Sequence, residues 1–282
     1  MKKYFSSTKE YSKYKKRHIP FKALLFLARP FCKPRELIFE APLPKEPLIF
    51  MANHATDYGP TSILFGLDRK FRIWSSANML FLKTAPSQIM KTIFPNVRGP
   101  LWGVARVFSY PMAVAMRSVF VAAETIPVYR DMRVKMTYQK TLETLKEGLD
   151  VVIFPDSLIP DPENPYMDVM QRGAFKTLTI CRNALGTPPK VVPVYCCKPL
   201  KTLVFGSPLQ YDASLPPKDA EEKLLKQVGQ AIKRLAESLP PHEIVHYSEM
   251  PKDVSRIKKY IAVGEEKLYE EVAALAAAPS DN

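Results

Sequence analysis

The chain has 282 residues, 46% hydrophobic and 24% charged, enough apolar material for one large domain or two modest ones. A formal charge of +13 implies attraction to anionic surfaces, whether lipid head groups, nucleic acid, acidic carrier proteins or phosphorylated substrates. The four cysteines (Cys32, Cys181, Cys196 and Cys197) show no Cys-x-x-Cys and no metal-ligand spacing. That excludes a zinc framework and points to reduced core thiols without disulfides.

Residues 1–18 are basic, carrying Lys2, Lys3, Lys9, Lys13, Lys15, Lys16 and Arg17 against Glu10. The apolar run Phe21 to Phe31 is broken by Lys22, Arg29 and Pro30, too short to span a bilayer and without a small-residue cleavage site. Two readings stay open for this arm: a helix in the cytoplasmic membrane interface, or a solvated terminus followed by a core-packed helix. Glu36–Glu40 and Leu48–Ala52 read as strands separated by a turn-forming stretch, and a helix starts near Asp57. Phe71–Ser75 is a predicted strand and Met79–Ile93 a predicted helix. Leu101–Ala123 is strongly apolar but interrupted by Gly103, Arg106, Pro111 and Arg117, so the expectation is a buried or interfacial kinked helix rather than a spanning one.

Ile126–Tyr129 reads as a strand ending at Arg130, Val134–Glu147 as a helix and Val151–Phe154 as a buried strand. A long loop rich in Pro and Asp then leads to a helix from Gln171 through Asn183. Val191–Cys197 and Thr202–Phe205 are predicted strands. Asp219–Leu239 is an amphipathic helix, and Ile257–Leu275 repeats its pattern. Strands alternating with helices predict an α/β fold with a mainly parallel central sheet in a single domain. The expected organisation is a basic arm over 1–34, an α/β domain over 35–240 and a helical extension over 241–282.

Three polar clusters follow predicted strands directly: Asn53/His54/Asp57, Arg130/Asp131 and Asp156/Ser157. The carboxyl ends of strands are where open α/β sheets place their ligands. A base, a carboxylate and a guanidinium together suit attack by a hydroxyl on an activated carbonyl beside a phosphate. The sequence lacks Gly-x-Ser-x-Gly, Gly-x-Gly-x-x-Gly and a phosphate-loop Gly-Lys-Ser/Thr, which removes serine-hydrolase and nucleotide-binding readings. The acidic loop Asp161–Pro165 lacks calcium-ligand spacing, so no metal is expected.

Five blocks in order resemble the glycerolipid (lysophospholipid) acyltransferases. They are Asn53-His54, Ile126-Pro-Val-Tyr-Arg130-Asp131, Val152-Ile-Phe-Pro-Asp156, Val191-Val-Pro193-Val, and Phe205-Gly206-Ser-Pro208. The resemblance covers roughly residues 35–210. It implies His54 as general base, Arg130 on the acceptor phosphate, and Asn53, Asp156, Ser157 and Pro193 around the substrate. Two positions depart from the family. Gly59 stands where the family has the aspartate five residues after its histidine, leaving Asp57 as the expected partner of His54. Asp156-Ser157-Leu158 stands where the family has Glu-Gly-Thr. Each residue also has a plainer role: His54 as a core histidine, Asp57 as a helix cap, Arg130 in a surface ion pair, Asp156 and Ser157 as turn formers, and Pro193 as architecture.

The expectation is therefore an acyltransferase moving an acyl group from acyl-CoA or acyl-carrier protein to a lysophospholipid-like acceptor, with no further cofactor. The expected partners are anionic membrane lipids and acyl-carrier protein, and the expected location is peripheral, on the cytoplasmic membrane face. A non-catalytic lipid-binding relative is the alternative. A nucleic-acid binder is motivated by charge alone and lacks a recognisable motif.

Overall fold

The fold was analysed in a computed structural model that describes residues 33–246 except 93, 95 and 96. The basic arm up to residue 32, the Ile257–Leu275 pattern and the extension beyond 246 lie outside the described residues. The chain is α/β, with a mixed, mainly parallel sheet of seven strands flanked by helices, as its alternating apolar runs predict. It divides into two compact units.

One unit takes residues 34–66 and the chain from 153 onward. In it β1 (Glu36–Phe39) pairs in parallel with β9 (Thr202–Phe205), and β2 (Ile49–Ala52) in parallel with β8 (Val191–Cys197). Every residue of β2, β8 and β9 is buried, which is why these strands are unbroken apolar runs rather than alternating ones. β8 and β9 are antiparallel, because the link Lys198–Lys201 is too short for a crossover. Helices α1 (Tyr58–Gly66), α6 (Arg172–Leu185) and α7 (Pro217–Glu237) complete the unit, α7 packing on α6 and β8. The predicted apolar face of α7 is buried at Leu224, Val228, Ile232 and Leu235, each contributing roughly 1.5–3 kcal/mol by leaving water, while Leu225 and Leu239 on the same predicted face are half-buried.

The expected Pro- and Asp-rich loop is not irregular throughout. It contains the antiparallel pair β6 (Asp156–Pro160) and β7 (Asp168–Met170). Its closure comes from residues whose pairing is non-local: the Gln171 N–H donates to Pro155 O at 2.8 Å, and its side-chain amide donates to Asp156 O at 3.0 Å.

The described part of the other unit runs from 67 to 152. β3 (Phe71–Ser76) is flanked in parallel by β4 (Ile126–Val128) and β5 (Asp150–Ile153). The Arg69 guanidinium grips the Asp150 carboxylate where β5 begins. The predicted Met79–Ile93 helix is two helices, α2 (Ala77–Leu80) and α3 (Ala85–Thr92), parted by an extended Phe81. Pro86 forces that break, since it has no N–H to donate backward and must sit in a first turn. α4 (Pro100–Ala122) starts with proline at its first position and carries Pro111 inside; α5 (Val134–Lys146) follows β4.

Candidate active site

β2 stops at Ala52, opposite Val194 of β8. Asn53 then extends the ladder with its side chain instead of its backbone. Its Oδ1 accepts from the Cys196 N–H at 2.7 Å, and its Nδ2 donates to Cys196 O at 3.2 Å. An amide side chain matches a peptide group in donors and acceptors, so this buried pair replaces one rung of the sheet. The strand can therefore end one residue early and release His54 from the sheet. Asn53 was expected to bind substrate; instead its amide is committed to the backbone of Cys196.

The next two residues, Ala55 and Thr56, both have left-handed φ values, 45° and 62°. Such backbone is strained for residues with a Cβ and marks a tightly determined turn. The turn returns the chain so closely that the Gly59 N–H donates to His54 O at 2.8 Å. A Cβ built at Gly59 would meet His54 O at 2.4 Å and Asn53 O at 2.7 Å. Position 59 is thus closed to any side chain, aspartate included.

His54 sits at the end of β2 with its ring against Phe154, centroids 4.7 Å apart. The carboxylate beside it is Asp156, at the start of β6, with a side chain only 2% exposed. The His54 backbone N–H donates to Asp156 Oδ2 at 2.7 Å, and Nδ1 of the same histidine lies 3.8 Å from that oxygen. The first contact is a charge-assisted hydrogen bond. The second is longer than a hydrogen bond but within ion-pair range. The other oxygen, Asp156 Oδ1, is buried and has no hydrogen-bond partner among the described residues.

Asp57, expected to partner His54, points elsewhere. Its side chain is 89% exposed, accepts from the Thr56 hydroxyl at 3.0 Å and faces Lys198 Nζ at 3.7 Å. Ser157 Oγ accepts from the Ile159 N–H at 3.2 Å, which is a turn-forming role. Pro193 is buried inside β8 opposite Met51, and its O accepts from the Gly206 N–H at 2.8 Å; Gly206 has no room for a Cβ beside the Pro193 ring.

In the other unit, Arg130 is exposed just past β4. Asp131 is held by Arg133, Nη2 to Oδ2 at 2.6 Å, which keeps its carboxyl below the usual range. The Arg133 guanidinium also lies 4.7 Å over the Tyr129 ring. Sequence reading missed Arg133, whose signal was its place two residues after Asp131. It also missed that Asp156 is the neighbour of His54, a pairing across 102 residues with no local signature. Among the described residues no group of three His, Cys, Asp or Glu side chains can hold a metal ion.

No protein-family model matches the chain, and no curated protein matches it. Among solved structures the chain is similar to the 1-acyl-sn-glycerophosphate (LPA) acyltransferase PlsC from Thermotoga maritima. The two are 15% identical over 82% of this chain and 81% of that one, with a TM-score of 0.39.

Proposed function

We propose that the protein is an acyltransferase in which His54, backed by Asp156, is the general base. The observation that carries this reading is a histidine at the carboxyl end of a buried strand with an enclosed carboxylate 3.8 Å from its Nδ1. The donor is an acyl thioester, acyl-CoA or acyl-carrier protein, and the acceptor is a lysophospholipid-like alcohol. His54 takes the proton from the acceptor hydroxyl as its oxygen attacks the thioester carbonyl. The C–S bond breaks, the new C–O ester bond remains, and the imidazolium returns its proton to the leaving thiolate. No acyl-enzyme is required. When the imidazole takes up that proton, the Asp156 carboxylate 3.8 Å from its Nδ1 faces the new charge. Arg130 is the candidate for the acceptor phosphate, on the strength of its guanidinium chemistry. The reading includes a peripheral position on the cytoplasmic membrane face, where thioester donors meet lysolipids.

The test is acyl transfer by purified protein with anionic vesicles. Labelled acyl-CoA and acyl-carrier protein are offered against a panel of lysolipids, beside His54→Ala and Arg130→Ala. The expected result is turnover lost by a factor of about 10²–10⁴ in His54→Ala, the usual span for a general base, and a raised KM for phosphate-bearing acceptors in Arg130→Ala. Undiminished turnover in His54→Ala would overturn the proposal. Vesicle binding without turnover on any acceptor would leave a non-catalytic lipid-binding relative in its place.

A further inference from the structure

α4 is apolar on every side, and its two faces are used differently. Ala105, Ser109 and Ala113, each four residues from the next, form a buried stripe of small side chains. Ala113 closes on Ala85 and Ile89 of α3, with Met79, Met112 and Met116 packed around them. The opposite stripe reads Val104, Val107, Phe108, Pro111, Val114 and Ala115, at the i, i+3, i+4, i+7 spacing of an amphipathic helix. In a water-soluble helix that stripe is the one that packs inward. Here all six residues are exposed, Val107 to 70% and Phe108 to 63%; Leu101 and Trp102 are also exposed in the first turn, Trp102 on the side that leads into Ala105. A contiguous apolar surface of this kind marks an interaction site.

The charge of the segment that carries the stripe points to the partner. From Arg69 to Ala123 the chain carries eight basic residues (Arg69, Lys70, Arg72, Lys83, Lys91, Arg98, Arg106, Arg117) and not one carboxylate. Arg69 and Arg72 are paired with Asp150, Glu124 and Glu147, all outside that stretch. Lys83, Lys91 and Arg98 are exposed on the segments leading into α4. On the helix, Arg106 lies 5.4 Å over the Tyr110 ring and reaches Ser87 at 3.3 Å, its stem covering apolar surface. A second copy of the chain docked symmetrically on this face would bring cation against cation. An anionic bilayer offers both hydrocarbon for the stripe and phosphate for the exposed basic residues of the same segment.

We infer that the first four turns of α4 are a monotopic docking element that lies in the plane of an anionic lipid bilayer, with Val104, Val107, Phe108, Pro111 and Val114 inserted. α4 is long and apolar enough to cross a membrane, the one such helix among the described residues. Its other face argues for lying flat over crossing, since Ala105, Ser109 and Ala113 are occupied by the protein and the Arg117 guanidinium donates to Leu80 O at 2.7 Å. The inference rests on the peripheral membrane position included in the proposed function and names the element that makes it; it is read by binding without turnover, so its failure and the failure of acyl transfer are told apart.

Trp102, exposed in the first turn of α4, reports contact of that turn with lipid, and co-sedimentation reports binding of the whole chain. The chain has two tryptophans, and the other, Trp74, is tied through its indole N–H to the Thr141 hydroxyl at 2.9 Å. The full chain is titrated with phosphatidylglycerol/phosphatidylcholine vesicles and with phosphatidylcholine vesicles alone, following Trp102 emission, quenching by brominated acyl chains, and co-sedimentation. Expected are a blue shift and quenching of Trp102 on the anionic vesicles, weakening as NaCl is raised. The double variant Val107→Asp/Phe108→Asp should bind at least tenfold more weakly while keeping the wild-type far-UV spectrum and melting temperature. Equal binding by wild type and variant would overturn the inference. So would a wild-type dimer that ignores vesicles and becomes a monomer in the variant, which would make the stripe a contact between copies. Phe108→Leu keeps the apolar face and should bind like wild type; if it fails as the double variant does, shape rather than insertion is at work and the inference falls.

Discussion

His54 and Asp156 are joined at two levels: the backbone N–H of His54 donates to Asp156 Oδ2 at 2.7 Å, while Nδ1 of its ring stands 3.8 Å from the same atom. One carboxylate thus anchors the strand end and faces the ring that emerges from it. We expect Asp156→Asn to retain most of the fold, because an amide oxygen can still accept from the backbone, but to lose transfer activity by about 10²-fold, within the range attributed to a positioned acid–base group. A merely structural role for Asp156 would leave the ¹⁵N signature of the His54 tautomer unchanged, and that NMR measurement separates the two.

Asp57 provides the contrast. Its exposed carboxylate faces Lys198 and Thr56, so Asp57→Asn should change activity less than about twofold and stability by less than about 0.5 kcal/mol, as for exposed ion pairs. A loss as large as that of Asp156→Asn would return the orienting role to Asp57.

Gly59 sets a limit on rescue. Introducing the family-like aspartate there should not improve catalysis, because its Cβ would collide with the carbonyls of His54 and Asn53. Gly59→Ala and Gly59→Asp are both expected to destabilise by roughly 1–3 kcal/mol, the cost of overpacking, read from urea midpoints. A wild-type midpoint in either variant would mean that the turn through Ala55 and Thr56 relaxes more easily than this packing implies.

Asn53→Ala would strand the buried N–H and C=O of Cys196. The expected loss is about 1–3 kcal/mol for unsatisfied buried polar groups. Asn53→Asp should cost at least as much as Asn53→Ala, because it keeps the acceptor but sets a buried carboxylate against the Cys196 carbonyl. Chemical denaturation of the three proteins orders them, and equal stability of all three would contradict the rung-replacement account.

The described cysteines give a pH prediction. Burial pushes the Cys181 thiol up to about 12 and lifts Cys197; in Cys196 burial and then the charge of Asp156 act in the same direction. An unfolded thiol ionises near 8.5. Below that pH both states keep the proton and the stabilisation is whole. As pH rises from about 8.5 toward 12 the unfolded chain releases protons that the folded chain retains, so stability falls. Mass-spectrometric mapping after iodoacetamide at pH 8 should find these three thiols unmodified until urea is added. Rapid native labelling of Cys196 would show that the rung between Asn53 and β8 opens.

Much of this protein could be read from its sequence. The unbroken apolar runs at Ile49–Ala52, Val151–Ile153 and Val191–Cys197 announced strands buried on both faces, and the 3.6-residue stripe of α7 announced a helix packed on a sheet. His54 was legible because its signal is local, a polar residue directly after such a run. The partner of His54, the job of Asn53 and the closure of position 59 were not legible. Each depends on which strand ends meet: Asp156 lies 102 residues from His54 and Cys196 lies 143 from Asn53. The apolar character of α4 was likewise plain in the sequence, but which stripe the protein covers and which it leaves exposed is settled by the packing of α3 against it. Periodicity is a property of neighbouring residues and fixes elements. Pairing across a hundred residues depends on how sheet and helices assemble, so only the tertiary structure decided which carboxylate His54 faces.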